Sequence, residues 1–90
     1  MVNQAIKKRA LHRAKIIAGQ VNGLMKAIER EDYCVDLLTQ SFSIQNSLKS
    51  LNAFLLENHL VTHVVHQMRK RSEEKKARKE LIKIYTLSHK

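Results

Sequence analysis

Ninety residues with 17 Lys and Arg against 8 Asp and Glu carry a formal charge of +9, and 43% of them are hydrophobic although only 4% are aromatic. A chain of this length makes one small domain, residues 1–90, that leaves much apolar surface uncovered unless it associates, with a core drawn from Leu, Ile, Val, Ala and Met. One Cys excludes an internal disulfide framework, and no Pro with only two Gly excludes a flexible linker or low-complexity tail.

An all-helical fold is therefore expected. No N-terminal apolar segment and no apolar run of about 18 residues suggests secretion or membrane spanning, so the expected compartment is the cytoplasm. The charge is uneven: residues 1–28 carry +6, residues 29–68 carry −3 and residues 69–90 carry +6. Two basic ends around a mildly acidic middle suit a polyanion partner. Nucleic acid is favoured over a membrane surface because interfacial Trp is absent.

The first expected helix runs from about Ile6 to Ile28. Ala10, Ala14, Ile17, Val21, Leu24 and Ile28 alternate four and three apart, a heptad seam. Gly19 and Gly23 interrupt it at about 1 kcal/mol each relative to Ala; either another helix approaches closely there or a well-packed helix tolerates them. Lys7, Lys8, Arg9, Arg13 and Lys15, with Asn22 further along, form either a phosphate-binding face or a solvated one. His12 and, at the other end, His89 lie in basic regions and suit solvation or phosphate contact better than metal.

Glu29-Arg30-Glu31-Asp32 breaks the seam and places a boundary between Arg30 and Tyr33, with Asp32 as a candidate cap for the next helix. In that helix Leu37, Ser41, Ile44, Leu48, Leu51 and Leu55 repeat the four-three spacing, and Leu38, Phe42 and Leu56 widen the apolar face. Such a face needs more than one neighbour. Arg69-Lys70-Arg71 ends the pattern; Ser72 before Glu73 and Glu74 reads as an N-cap, and Ala77, Leu81, Ile84 and Leu87 or Ser88 outline a short third helix.

The stretch from Tyr33 to His66 holds the chemistry. At about 100° per residue, His59 and His63 fall about 20° to either side of Cys34's direction and His66 about 40° away. Cys34 and His59 would nevertheless stand roughly 37 Å apart on a straight helix. A second copy running antiparallel brings its His59 and His63 to Cys34, which predicts a two-fold dimer with two intersubunit sites. One thiolate and two imidazoles suit Cu(I), Zn(II), Ni(II) or Co(II), and soft sulfur with few ligands leans towards Cu(I). The competing reading is that these His are ordinary interfacial polar groups.

His66 is open between ligand, supporting donor and bystander. Tyr33 points about 100° from Cys34 and suits a supporting contact or plain packing rather than ligation. A Cys–His nucleophile pair is the enzymatic alternative, but no oxyanion-hole signal, nucleophile elbow or phosphate-cradling loop accompanies it, so no enzyme is expected. Nothing matches a helix-turn-helix, a zinc finger or a basic zipper, and any DNA reading would rest on backbone contacts and duplex shape.

Three segments in combination resemble the CsoR/RcnR-type metal-sensing transcriptional repressors. They are Arg13 and Lys15 with Gly19-Gln20-Val21-Asn22-Gly23, then Asp32-Tyr33-Cys34-Val35-Asp36-Leu37-Leu38-Thr39-Gln40, and Leu55-Leu56-Glu57-Asn58-His59-Leu60 with His63. The resemblance implies three-helix protomers with a long central helix, an antiparallel dimer, and a dimer-of-dimers tetramer that binds operator double-stranded DNA when metal-free and releases it on binding metal. It implies Cys34 of one protomer and His59 and His63 of the other as ligands, with Tyr33 and Glu80 supporting them. It also implies DNA contacts from Arg13, Lys15 and Lys49, while Asn22 stands where many members have Arg.

Tyr33-Cys34-Val35-Asp36 looks like the copper-sensing branch, although Cys commonly stands there in place of His63. The His59-to-Gln67 run looks more like the nickel/cobalt branch, which recruits an N-terminal His where this chain has Asn3. A single Cys departs from the persulfide branch and Val2 from the formaldehyde branch. Copper is the preferred inducer. The alternatives are a nickel/cobalt-responsive repressor, or a helical scaffold that binds nucleic acid without metal.

Overall fold

A computed structural model describes residues 3–60 and 71–89. Within them the chain forms three helices, α1 (Gln4–Glu29), α2 (Cys34–His59) and α3 (Arg71–Ser88), and among the described residues there is no strand. The chain divides into two units, Met1–Leu56 and Glu57–Lys90.

In the first unit α1 and α2 form an antiparallel hairpin. Its polarity follows from two contacts: Arg9 and Arg13, early in α1, lie over Phe54, late in α2, whereas Lys26 and Arg30 line a groove with Gln40, near the start of α2. Asn3 starts α1 as its N-cap. Its Oδ1 accepts from the N–H of Ala5 at 2.8 Å and of Ile6 at 3.4 Å, satisfying donors that a helix end leaves unpaired.

The buried and half-buried positions of α1 are Ile6, Ala10, Arg13, Ile17, Gln20, Leu24 and Ala27, spaced four and three apart. This seam shares Ala10, Ile17 and Leu24 with the expected one. Ala14, Val21 and Ile28 are exposed instead, because the apolar arc of α1 is wider than one seam and α2 covers only one side of it. On α2 the expected Leu37, Ser41, Ile44, Leu51 and Leu55 are buried or half-buried, while Leu48 is 43% exposed and Ser47 takes the inward place.

The turn between the helices lies where the charged tetrad predicted it. Glu31 has φ 57°, its N–H donates to Ile28 O at 2.9 Å and the N–H of Asp32 donates to Ala27 O at 3.0 Å. That pair of bonds is the Schellman closure of a helix end, built here around a residue other than Gly. Asp32 does not cap α2. Its carboxylate takes the Arg30 guanidinium, with Nη2 at 2.8 Å and Nε at 3.3 Å, and α2 starts two residues later, with Tyr33 O accepting from the N–H of Asp36 and Leu37.

The second unit contains the end of α2 and α3. Glu73, Glu74, Ala77, Glu80, Leu81 and Ile84 are the buried or half-buried positions of α3, which matches the expected Ala77-Leu81-Ile84 face. The helix starts at Arg71, so Ser72 lies within the first turn rather than before it. The expected continuation of the central helix through His63 and His66 falls on residues 61–70, outside the described residues.

Candidate metal and nucleic-acid sites

Cys34 is the first residue of α2 and an exposed free thiol. Tyr33 beside it is 71% exposed. Val35, Leu38 and Phe42, each more than half exposed, lie on the same end of α2. The thiol therefore stands at the border of an apolar surface that nothing within the first unit covers.

His59 closes α2 and is half-buried. Its Nε2 lies 3.9 Å from Glu80 Oε2, a charge-pair distance when the imidazole is protonated and too long for a hydrogen bond. The structure thus brings Glu80 of α3 beside His59. His63 lies outside the described residues, and among the described residues no three His, Cys, Asp or Glu side chains converge on one point. Cys34 and His59 stand at opposite ends of a 26-residue helix.

In kind the two residues fit a metal: Cys34 is a thiol that neither a disulfide nor the first unit's core occupies, His59 is an imidazole with a carboxylate beside it, and thiolate with imidazole suits Cu(I), Zn(II), Ni(II) or Co(II). A ligand thiol must be free to lose its proton.

The expected DNA-contacting cations do not form one patch. Lys8, Arg9, Lys15 and Lys49 are exposed and Arg13 is half-buried. By helical phase Lys8 and Lys15 lie roughly 150° around α1 from Arg13. Arg9 and Arg13 converge instead on a ring that sequence reasoning did not single out, with Cζ 5.2 Å and 4.7 Å from the centroid of Phe54. A groove of about 390 Å³ runs past Arg13 between α1 and α2, lined also by Ile16, Ile17, Ser43, Asn46, Ser47 and Ser50. No local signal marks Phe54, because its partners are on another helix some forty residues earlier in the chain.

Residues 6–86 match the family described as metal-sensitive transcriptional repressors. The chain belongs to that family, and its likeness within it runs to the copper-sensing members. It is 34% identical over 79 residues to the copper-sensing transcriptional repressor CsoR of Bacillus subtilis, covering 88% of this chain and 77% of that one. It is 40% identical over 58 residues to CsoR of Mycobacterium bovis, covering 64% of this chain. That match spans about half, 49%, of the mycobacterial protein. The fold is similar to the crystal structure of CsoR with Cu(I) from Geobacillus thermodenitrificans, with a TM-score of 0.92, 29% identity, and coverage of 100% of this chain and 93% of that one. Among the described residues no helix is long and apolar enough to cross a membrane.

Proposed function

We propose that residues 1–90 act as one cytoplasmic sensing domain that represses transcription by binding operator DNA when metal-free and releases it when Cu(I) joins Cys34 of one protomer to His59 and His63 of another. The observation that carries this reading is the placement of Cys34: exposed at the head of α2, at the edge of the uncovered Val35-Leu38-Phe42 surface, with His59 at the far end of the same helix. A thiol so placed meets the far end of α2 from an antiparallel copy.

The exposed side of α1 supports the same assembly. Leu11, Ala14, Ala18, Val21, Met25 and Ile28 recur three and four apart and are all exposed in the protomer. This second heptad seam is a packing surface for another copy, and with the α2 surface it offers two apolar faces, as an antiparallel dimer and a dimer of dimers require. Tyr33 and Glu80 support the ligands, and Glu80 is placed beside His59. Arg9, Arg13, Lys8, Lys15 and Lys49 meet phosphates.

Bound Cu(I) supplies a short link between thiolate and imidazoles. The protein's part is to carry that constraint along α2, fixing two α2 helices against each other in an arrangement unsuited to DNA. The coupling is expected at about 1–3 kcal/mol, a factor of roughly 5 to 150 in operator affinity.

The test titrates Cu(I), Ni(II) and Zn(II) separately into protein bound to a fluorescein-labelled duplex selected from a random pool by the metal-free protein. Release by Cu(I) is expected; undiminished binding at saturation refutes the reading, and release by Ni(II) alone transfers it to the nickel branch. Neither Cys34→Ser nor His59→Ala should release DNA. Mixing the two variants restores one intact site in about half the reassorted dimers and with it partial release, which a site within one chain does not allow.

A further inference from the structure

Two guanidiniums share one ring, and one of them, Arg13, also lines a groove between α1 and α2. Arg9 and Arg13, one turn apart on α1, approach Phe54 to 5.2 Å and 4.7 Å. On α2 Ser43, Ser47, Ser50 and Phe54 recur four, three and four apart, so the ring ends a row of hydroxyls, of which Ser47 donates to Ser43 O; Ser43, Asn46, Ser47 and Ser50 line one wall of the groove and Arg13, Ile16 and Ile17 the other. The other arginines whose side chains are described spend their donors on carboxylates: Arg30 on Asp32 at 2.8 Å and Arg78 on Glu74 at 2.6 Å. Arg9 and Arg13 are held by a ring face, which attracts a cation without occupying its N–H groups.

We propose that Phe54 is a positioning residue for DNA binding, an aromatic platform that holds the Arg9 and Arg13 guanidiniums with their donors free at the end of the hydroxyl row, where they meet the phosphates of one DNA strand. The proposal rests on the operator-binding reading above and deepens it. A free Arg side chain samples many rotamers, and freezing it on binding costs affinity. Stacking on Phe54 removes part of that cost before DNA arrives, and the electron-rich face of the ring eases the approach of two like charges. Hydroxyl and amide side chains are common phosphate partners that fix register without reading sequence, which suits the Ser and Asn row.

The experiment measures metal-free binding to the selected duplex across a salt series for Phe54→Leu, Phe54→Tyr, Arg9→Ala and Arg13→Ala, with thermal unfolding and Cu(I) stoichiometry as fold controls. Phe54→Leu keeps an apolar side chain and removes the ring; it is expected to weaken binding about three- to tenfold while leaving the slope of log affinity on log salt unchanged, since no phosphate contact is deleted. Phe54→Tyr should bind within about twofold of the native protein. Arg13→Ala should weaken binding and also flatten the slope by about 0.9 for each protomer whose Arg13 meets a phosphate, and Phe54→Leu added to the double Arg variant should have no further effect. If Phe54→Leu binds like the native protein while Arg13→Ala does not, the platform is refuted and the DNA reading stands. If Phe54→Leu lowers stability and Phe54→Tyr fails to rescue binding, the ring only packs, and the proposal is equally refuted. If both Arg variants bind normally, this face is not a DNA site and the platform is refuted while operator binding stands on other residues; if the native metal-free protein selects no duplex at all, the operator-binding reading itself fails.

Discussion

Replacing Glu31 by Gly should stabilise this protein. Glu31 closes α1 with φ 57°, in the left-handed region, and its backbone is held there by its own N–H to Ile28 O and by the next residue's N–H to Ala27 O. An L residue in that region places its Cβ against the backbone at a cost of roughly 1–2 kcal/mol. Gly escapes the clash but surrenders more freedom on folding, worth roughly 0.5–1 kcal/mol. The difference leaves a net gain of about 0.5–1 kcal/mol.

For a domain of 60–100 residues each kcal/mol moves the melting temperature by about 4–8 °C, so the gain should read as a rise of about 2–8 °C in thermal unfolding followed by far-ultraviolet circular dichroism. Protomer concentration must be fixed, because association shifts the midpoint by mass action. Glu31→Ala is the control: it removes the carboxylate and keeps the Cβ, so it should not reproduce the gain. A melting temperature that rises with Ala as much as with Gly would show that charge, not backbone geometry, limits this turn. No rise with Gly would remove the strain argument altogether.

Three further outcomes follow from the same geometry. A Cβ added at Gly23 meets nothing within 4 Å in the protomer, so Gly23→Ala should raise stability by about 1 kcal/mol in chemical denaturation; a loss would mean that another molecule lies close to the helix there. Asn3→Ala deletes the side-chain cap of α1 and should cost about 1 kcal/mol, read as a lower denaturation midpoint and faster amide exchange in the first turn. The Arg30 guanidinium hydrogen-bonded to Asp32 holds that carboxyl below its ordinary value; the clamp therefore contributes stability above the usual carboxylate range and loses it as pH falls through the lowered value. Carbon-detected NMR titration should find Asp32 titrating below the ordinary value for Asp and moving back up in Arg30→Gln.

The heptads of α1 and α2 were legible because four-three spacing is a property of the chain itself. Which side of α1 meets α2 was not. Its apolar residues fill nearly half the helix circumference, and the half facing α2 includes Arg13 and Gln20, polar positions that periodicity assigns to solvent. Arg13 is half-buried in the seam because a long aliphatic stem can be buried while its charged end is received elsewhere, here by the Phe54 ring. The same limit hid the ring, since two arginines on one helix and a Phe on another share no local pattern. The charged tetrad marked the turn correctly, yet Asp32 does not cap α2, which starts at Cys34 rather than Tyr33, because a cap candidate is also a salt-bridge candidate, and Arg30 is two residues away. The Glu80–His59 approach joins different helices; only resemblance pointed to Glu80, and helical phase could not.

The two seams of α1 also bear on why a sensor of this size can work as an assembly. One seam is consumed within the hairpin, by Ile17, Leu24 and Ala27; the other, Leu11 through Ile28, is uncovered. On the proposed reading the copy that covers the second seam also brings the imidazoles that complete the site at Cys34. Burying apolar surface has no preferred direction and tolerates small slides between helices, whereas thiolate and imidazole ligands demand fixed distances and angles. Apolar packing can then hold the copies together in both states while the metal selects between registers.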